Sequence, residues 1–220
     1  MKLRGAIFDF DGTLFDSMYI WDLAGQRYLQ TLGLRASDQL QEEIRTLSLY
    51  QAACHIRSSY HLSKSVEEIM DGINDTVERG YRFDILPKPG VCDFLKTLRS
   101  RGVKLCIATA TDRYLIDAAL ARCGMGHLFS GIFTCTEVGA GKDSPEIYRR
   151  ALAHLGTERA NTLIFEDAQH AAATAAQDGF SVCGVYDASE PQQEALRSVC
   201  ACFLADYLHL DSFWKFAPAI

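Results

Sequence analysis

Ala6-Ile7-Phe8-Asp9-Phe10-Asp11-Gly12-Thr13-Leu14 drives a short apolar run into two carboxylates and a glycine. The apolar stretch over residues 5–8 is too short for a helix and suits a buried strand. Carboxylates two positions apart share one face of an extended chain. At the carboxyl end of a central parallel strand, where open α/β sheets bind ligands, the pair could share a cation. Magnesium would relieve their mutual repulsion. A solvated turn is the plain alternative for such a string. A calcium loop of the EF-hand type does not fit, because the glycine comes too early and the twelfth position is Ile20.

Outward from this segment, further short apolar runs at 104–108, 131–134, 162–165 and 181–185 read as buried strands, each followed by a turn or polar cluster. The stretches 91–101, 115–123, 145–155 and 171–178 have lengths that suit crossover helices of a parallel sheet. The interval from about Asp16 to Leu86 has four helix-like stretches and no strand. In it Tyr19, Leu23, Tyr28, Leu29 and Leu32, and later Ile69, Ile73 and Val77, recur at roughly helical spacing. The expected architecture is α/β: a Rossmann-like core over residues 1–15 and 86–220 with a central parallel sheet, and an inserted all-helical domain over 16–85. Pro87-Lys88-Pro89-Gly90 is the expected hinge on return to the core.

The 220 residues suffice to bury a core, and the net charge of −6 comes with interspersed signs and no basic stripe. Nucleic acid is therefore not an expected partner. Eight cysteines without a CxxC pair read as free thiols in a reducing compartment. No signal peptide opens the chain and no apolar run is long enough to cross a bilayer, so a cytoplasmic protein without membrane contact is expected, monomeric or weakly dimeric. The six histidines form no ligand cluster and are expected to be structural.

Three other strand ends carry polar residues of the types a phosphoryl-transfer site needs. They are Thr109, Lys142 in Gly141-Lys142-Asp143-Ser144-Pro145, and Glu166-Asp167. Taken singly, Thr109 reads as a helix cap, Lys142 as a solvated loop lysine and the acidic pair as helix N-terminal charge. Jointly, in this order, they supply a donor, a cation and more carboxylates for an anion and a metal.

With these residues in place the sequence resembles the haloacid dehalogenase-like superfamily over nearly its whole length, its four motifs matching Asp9–Leu14, Thr109, Lys142 with Pro145, and Glu166-Asp167. The resemblance implies a first strand central in the sheet, flanked by the Thr109 and Asp167 strands, and a helical cap of the β-phosphoglucomutase type. Two departures stand out. The acidic pair is followed by Ala168-Gln169-His170-Ala171, where many relatives have serine and then glycine. Thr13 and Trp21 stand where sugar-phosphate mutases of this kind carry valine or isoleucine and, near the second position, a histidine.

The resemblance further implies roles. Asp9 attacks phosphorus to form an aspartyl-phosphate, and its other oxygen binds Mg²⁺ beside the Asp11 carbonyl and the Asp167 side chain, with Glu166 tuning the ion. Asp11 protonates the leaving oxygen and then deprotonates water. Thr109, followed by Ala110 and Thr111, holds a phosphoryl oxygen, Lys142 neutralises charge, and the backbone around Gly12 adds donors. Thr13, Asp16, Ser17, Trp21, Arg45 and Arg113 are the candidate substrate contacts. Each has a plainer alternative: Ser17 as a helix cap, Trp21 as cap core, the arginines as solvated surface.

The implied activity is magnesium-dependent hydrolysis of a small phosphorylated metabolite, a sugar phosphate or nucleotide. An intramolecular phosphotransferase resembling β-phosphoglucomutase is the alternative. A dehalogenase is disfavoured because that branch works without metal and lacks the second aspartate. Phosphonate hydrolysis is disfavoured because Lys64 is the only lysine available in the helical insert. A phospho-accepting signalling domain would be much shorter and have no inserted cap.

Overall fold

The computed structural model describes residues 2–217. In chain order, strand β1 (Gly5–Phe8) and the two-residue β2 (Phe15–Asp16) precede helices α1 (Met18–Trp21), α2 (Ala24–Thr31), α3 (Leu40–Ile44), α4 (Leu49–Ser59) and α5 (Val66–Arg79). A π turn (Gly80–Asp84) leads into β3 (Leu86–Pro87), α6 (Val91–Ser100), β4 (Lys104–Thr109) and α7 (Arg113–Arg122). Then follow β5 (Ile132–Thr134), α8 (Cys135–Val138), α9 (Glu146–Leu155), β6 (Thr162–Glu166) and α10 (Gln169–Gln177). The remainder is β7 (Ser181–Val185), α11 (Gln193–Val199), β8 (Cys202–Leu204) and α12 (Asp211–Phe216).

Six strands form one parallel sheet in the order β5-β4-β1-β6-β7-β8, with β1 inside it. Strand alternation sorts the side chains into two layers. Ala6, Phe8, Leu105, Ile107, Leu163 and Phe165 enter one apolar cluster; Ile7, Cys106, Ala108 and Ile164 enter the other. Burial on both faces explains why these strands read as unbroken apolar runs. Phe8 stacks on Phe165 at 4.2 Å between ring centroids, locking β1 against β6.

Register decides what lies beside Asp9. Phe8 pairs with Ile107 on one side and Phe165 on the other, so Asp9 leaves the sheet level with the ends of β4 and β6. Its amide donates to the Phe165 carbonyl at 2.9 Å. Thr109 is the last residue of β4 rather than the first of a loop.

The chain enters and leaves its helical interval through an antiparallel ribbon in which Phe15 faces Pro87 and Asp16 faces Leu86. Five α-helices and the π turn lie between, where four helical stretches were expected. Ser48 and Ser65 start α4 and α5 with reciprocal capping boxes to Gln51 and Glu68. Ile69, Ile73 and Val77 are buried as their spacing predicts, whereas Tyr19 and Leu23 are exposed. The break between α1 and α2 resets the helical phase there. The two-residue ribbon and the edge strand β8 also escape sequence reading, being too short to show a period.

Candidate active site

At the carboxyl ends of β1, β4 and β6 lies a cavity of about 170 Å³. Asp9, Asp11, Thr109, Ala110, Thr111, Lys142, Glu166 and Asp167 line its floor; Trp21 and Arg45 of the helical interval line its roof. Three strand ends converge here with Lys142, which was expected at a strand end but lies in the turn between α8 and α9.

The Lys142 ammonium sits 2.6 Å from Asp9 Oδ1 and 2.6 Å from Glu166 Oε1. Burial alone would lower its pKa, but the two carboxylates outweigh this and hold it above its ordinary value. It is therefore a fixed positive charge. Tyr148 of α9 donates to the same Glu166 oxygen at 2.7 Å. The other oxygen, Oε2, is buried with no hydrogen-bond partner.

Asp9, Glu166 and Asp167 each offer a carboxylate oxygen, and these oxygens lie within 4.8 Å of one another. Burial pushes the Glu166 carboxyl up to about 7, with Lys142 opposing and Asp9 adding. Burial also raises Asp167 well above its usual range, reinforced by Asp9 and Glu166 and opposed by the Thr13 hydroxyl. Crowded buried carboxylates with an unpartnered oxygen fit a hard divalent cation held by oxygen ligands.

Gly12 keeps that cluster open. Its φ of +72° is one that other residues avoid, and a Cβ there would strike Oδ2 of Asp167 and approach its Cγ to 2.7 Å.

Asp11 is fully enclosed by donors. Ser17 Oγ donates to its Oδ1 at 2.6 Å, Thr111 Oγ1 donates to its Oδ2 at 2.7 Å, and the Tyr81 hydroxyl also reaches Oδ1. Burial and the Asp9 charge raise the Asp11 pKa, while these three hydrogen bonds pull it down. Opposed influences of this kind are what a group needs to give and retake a proton. Tyr81 in turn accepts from Trp21 Nε1 at 2.6 Å, so the indole is part of the Asp11 network as well as the cavity roof.

Several expected substrate contacts lie elsewhere. Thr13 is fully buried and donates to Asp167 Oδ1 at 2.7 Å, serving the carboxylate cluster and not the cavity. Ser17 serves Asp11 in the same way. Asp16 points to solvent on the ribbon, because strand alternation buries Phe15 instead. Arg113 donates to both oxygens of Glu137 and to the Ile132 carbonyl and is not among the residues lining the cavity. Conversely, His170 is no bystander: it lines the cavity, and burial together with Lys142 and Arg45 lowers its pKa. Tyr81 and Tyr148 were also missed. Their only sequence signal is position, after the long helix α5 and three residues beyond Pro145.

The profile of the family described as haloacid dehalogenase-like hydrolase matches residues 6–185. A phosphorylated carbohydrates phosphatase of Thermotoga maritima is 24% identical over 167 residues, covering 76% of this chain and 77% of that protein. Protein CbbY of Rhodobacter capsulatus is 28% identical, covering 83% and 85%. The crystal structure of CbbY from Rhodobacter sphaeroides in complex with phosphate superimposes with a TM-score of 0.83 at 19% identity, over 95% of this chain and 96% of that one.

Proposed function

Because the chain belongs to the haloacid dehalogenase-like hydrolase family, we propose that it is a Mg²⁺-dependent phosphatase of a small phosphorylated metabolite, working through a phosphorylated Asp9. The observation that carries this reading is the contact of one buried lysine, Lys142, with both Asp9 and Glu166 at the end of the central strand. That contact leaves a nucleophile, a fixed cation and a carboxylate cluster within reach of one phosphoryl group. Phosphatases among the relatives support the same chemistry.

In the first step an Asp9 carboxylate oxygen forms a bond to phosphorus as the ester P–O bond breaks. Asp11, protonated, gives its proton to the departing alkoxide. In the second step the Asp11 carboxylate takes a proton from water as that water bonds to phosphorus. The acyl-phosphate bond breaks, inorganic phosphate leaves and Asp9 is restored. Lys142 and Thr109 stabilise the equatorial oxygens. Asp9, Asp167 and the Asp11 carbonyl would hold the metal, with Glu166 tuning it; when bound, it would offset charge on the carboxylates and the phosphoryl oxygens. The helices between Met18 and Asp84 act as a cap that closes on the ribbon of Phe15–Asp16 with Leu86–Pro87 and excludes bulk water.

The test is phosphate release from a panel of phosphate monoesters with and without Mg²⁺, for the wild type, Asp9→Asn and Asp11→Asn. Magnesium-dependent release lost in Asp9→Asn and reduced roughly 10²- to 10⁴-fold in Asp11→Asn is the expected result. A wild type that releases nothing yet stays phosphorylated would sink the hydrolase reading and favour the mutase.

A further inference from the structure

We infer, on the basis of the phosphatase reading above, that the ester this site takes is a monophosphate whose alcohol portion is about one ring in size, largely apolar and without a second anionic group.

Size is the first argument. The cavity holds about 170 Å³, and part of that belongs to the phosphoryl group beside Asp9. A protein cavity of ~150 Å³ accommodates a benzene molecule. What remains within the walls above the phosphoryl position is room for about one ring or a short chain.

The wall is the second argument. On the side facing the helical interval the cavity is lined by Met18, Trp21, Ile44, Leu49, Ala52 and Ile73. Ile73 and Ala52 come from the buried faces of α5 and α4, and Trp21 is held rigid by its bond to Tyr81. A sugar ring placed against these apolar side chains would strip water from its hydroxyls, and each one left unpaired would cost roughly 1–3 kcal/mol. A hydrocarbon ring loses nothing there.

Charge is the third. A bisphosphate needs basic side chains for its second phosphate. Among the described residues lining the cavity, the lysine and arginine side chains are Lys142 and Arg45. Lys142 is committed to Asp9 and Glu166. Arg45 lies 3.9 Å from the buried Glu190 carboxylate, which offsets part of its charge. The remaining polar lining on this side includes Gln41, Thr46 and Ser48, neutral groups that can hydrogen-bond but cannot neutralise a dianion.

The experiment compares kcat/KM at saturating Mg²⁺ for benzyl phosphate, methyl phosphate, glucose 6-phosphate and fructose 1,6-bisphosphate. All are alkyl esters, so leaving-group reactivity does not set the order. Benzyl phosphate is expected to exceed both sugar esters by at least about ten-fold. Ala52→Leu, which fills the apolar side, should lower the ratio of kcat/KM for benzyl phosphate to that for methyl phosphate by about ten-fold. If either sugar ester is cleaved as efficiently as benzyl phosphate, this inference is overturned while the phosphatase stands. If no ester is cleaved, calorimetry with the unreactive benzylphosphonate separates the two ideas. Binding that Ala52→Leu weakens keeps the pocket and removes the hydrolase, whereas no binding removes both.

Discussion

Thr13 Oγ1 donates to Oδ1 of Asp167 at 2.7 Å, joining two residues 154 positions apart in the chain. Thr13 sits in the turn after the central strand, and Asp167 follows the neighbouring strand. Their bond fixes one Asp167 oxygen and opposes the rise in its pKa caused by burial. Thr13→Val keeps the shape and removes the donor. We expect Mg²⁺ affinity to fall by about 10- to 100-fold, with kcat at saturating Mg²⁺ changed far less. A magnesium titration of activity, checked by the magnesium-dependent rise in Tm, reads both quantities.

Tyr81→Phe separates packing from proton control. The phenyl ring retains contact with Phe10 and Trp21, but Asp11 loses one of three donors that favour its ionised form. Its pKa should rise, because burial and the neighbouring Asp9 charge then meet less opposition. In the proposed mechanism Asp11 is protonated when the alcohol leaves, so the fall in kcat/KM on the alkaline side should move to higher pH. An unmoved limb in the pH profile would show that Asp11 is not the group that titrates there.

The carboxylate cluster makes stability depend on pH when no divalent cation is supplied. Glu166 is raised from 4.5 to about 7, so the folded protein binds more protons than the unfolded chain between those values. Stability therefore falls as pH rises through that window, by an amount on the order of 1–3 kcal/mol. Asp11 and Asp167 are raised as well and act in the same direction. Urea midpoints in EDTA should be lower at pH 7.5 than at pH 5. Mg²⁺ should narrow the difference, because an ion that binds only the folded state stabilises it by mass action.

Gly12→Ala and Gly102→Ala form a matched pair. Both glycines have positive φ, +72° and +77°, so each alanine should cost about 1–2 kcal/mol of stability. Only at Gly12 does the new methyl group collide with Asp167; at Gly102 nothing lies within 4 Å. Phosphate release should collapse in the first variant and persist in the second, at a temperature where both are folded.

Much of this molecule is set by local pattern. The buried strands and the order Asp9, Thr109, Lys142, Glu166 and Asp167 along the chain are legible in the sequence. Apolar period and strand-end chemistry depend on a few neighbouring residues and survive without knowledge of the fold. What only the tertiary structure decided is where side chains point once distant elements pack. Arg113 was drawn to Glu137 and away from the cavity; Asp16 was turned outward by the pairing of Phe15 with Pro87. Tyr81 was brought to Asp11 by the π turn, 70 residues later in the chain. The apolar roof over the carboxylates is of the same kind, since Trp21, Leu49, Ala52 and Ile73 look like ordinary helix-core residues until the helices are set down over the strand ends. A partner many residues away adds no period to the sequence around either residue, so such contacts are set by packing alone.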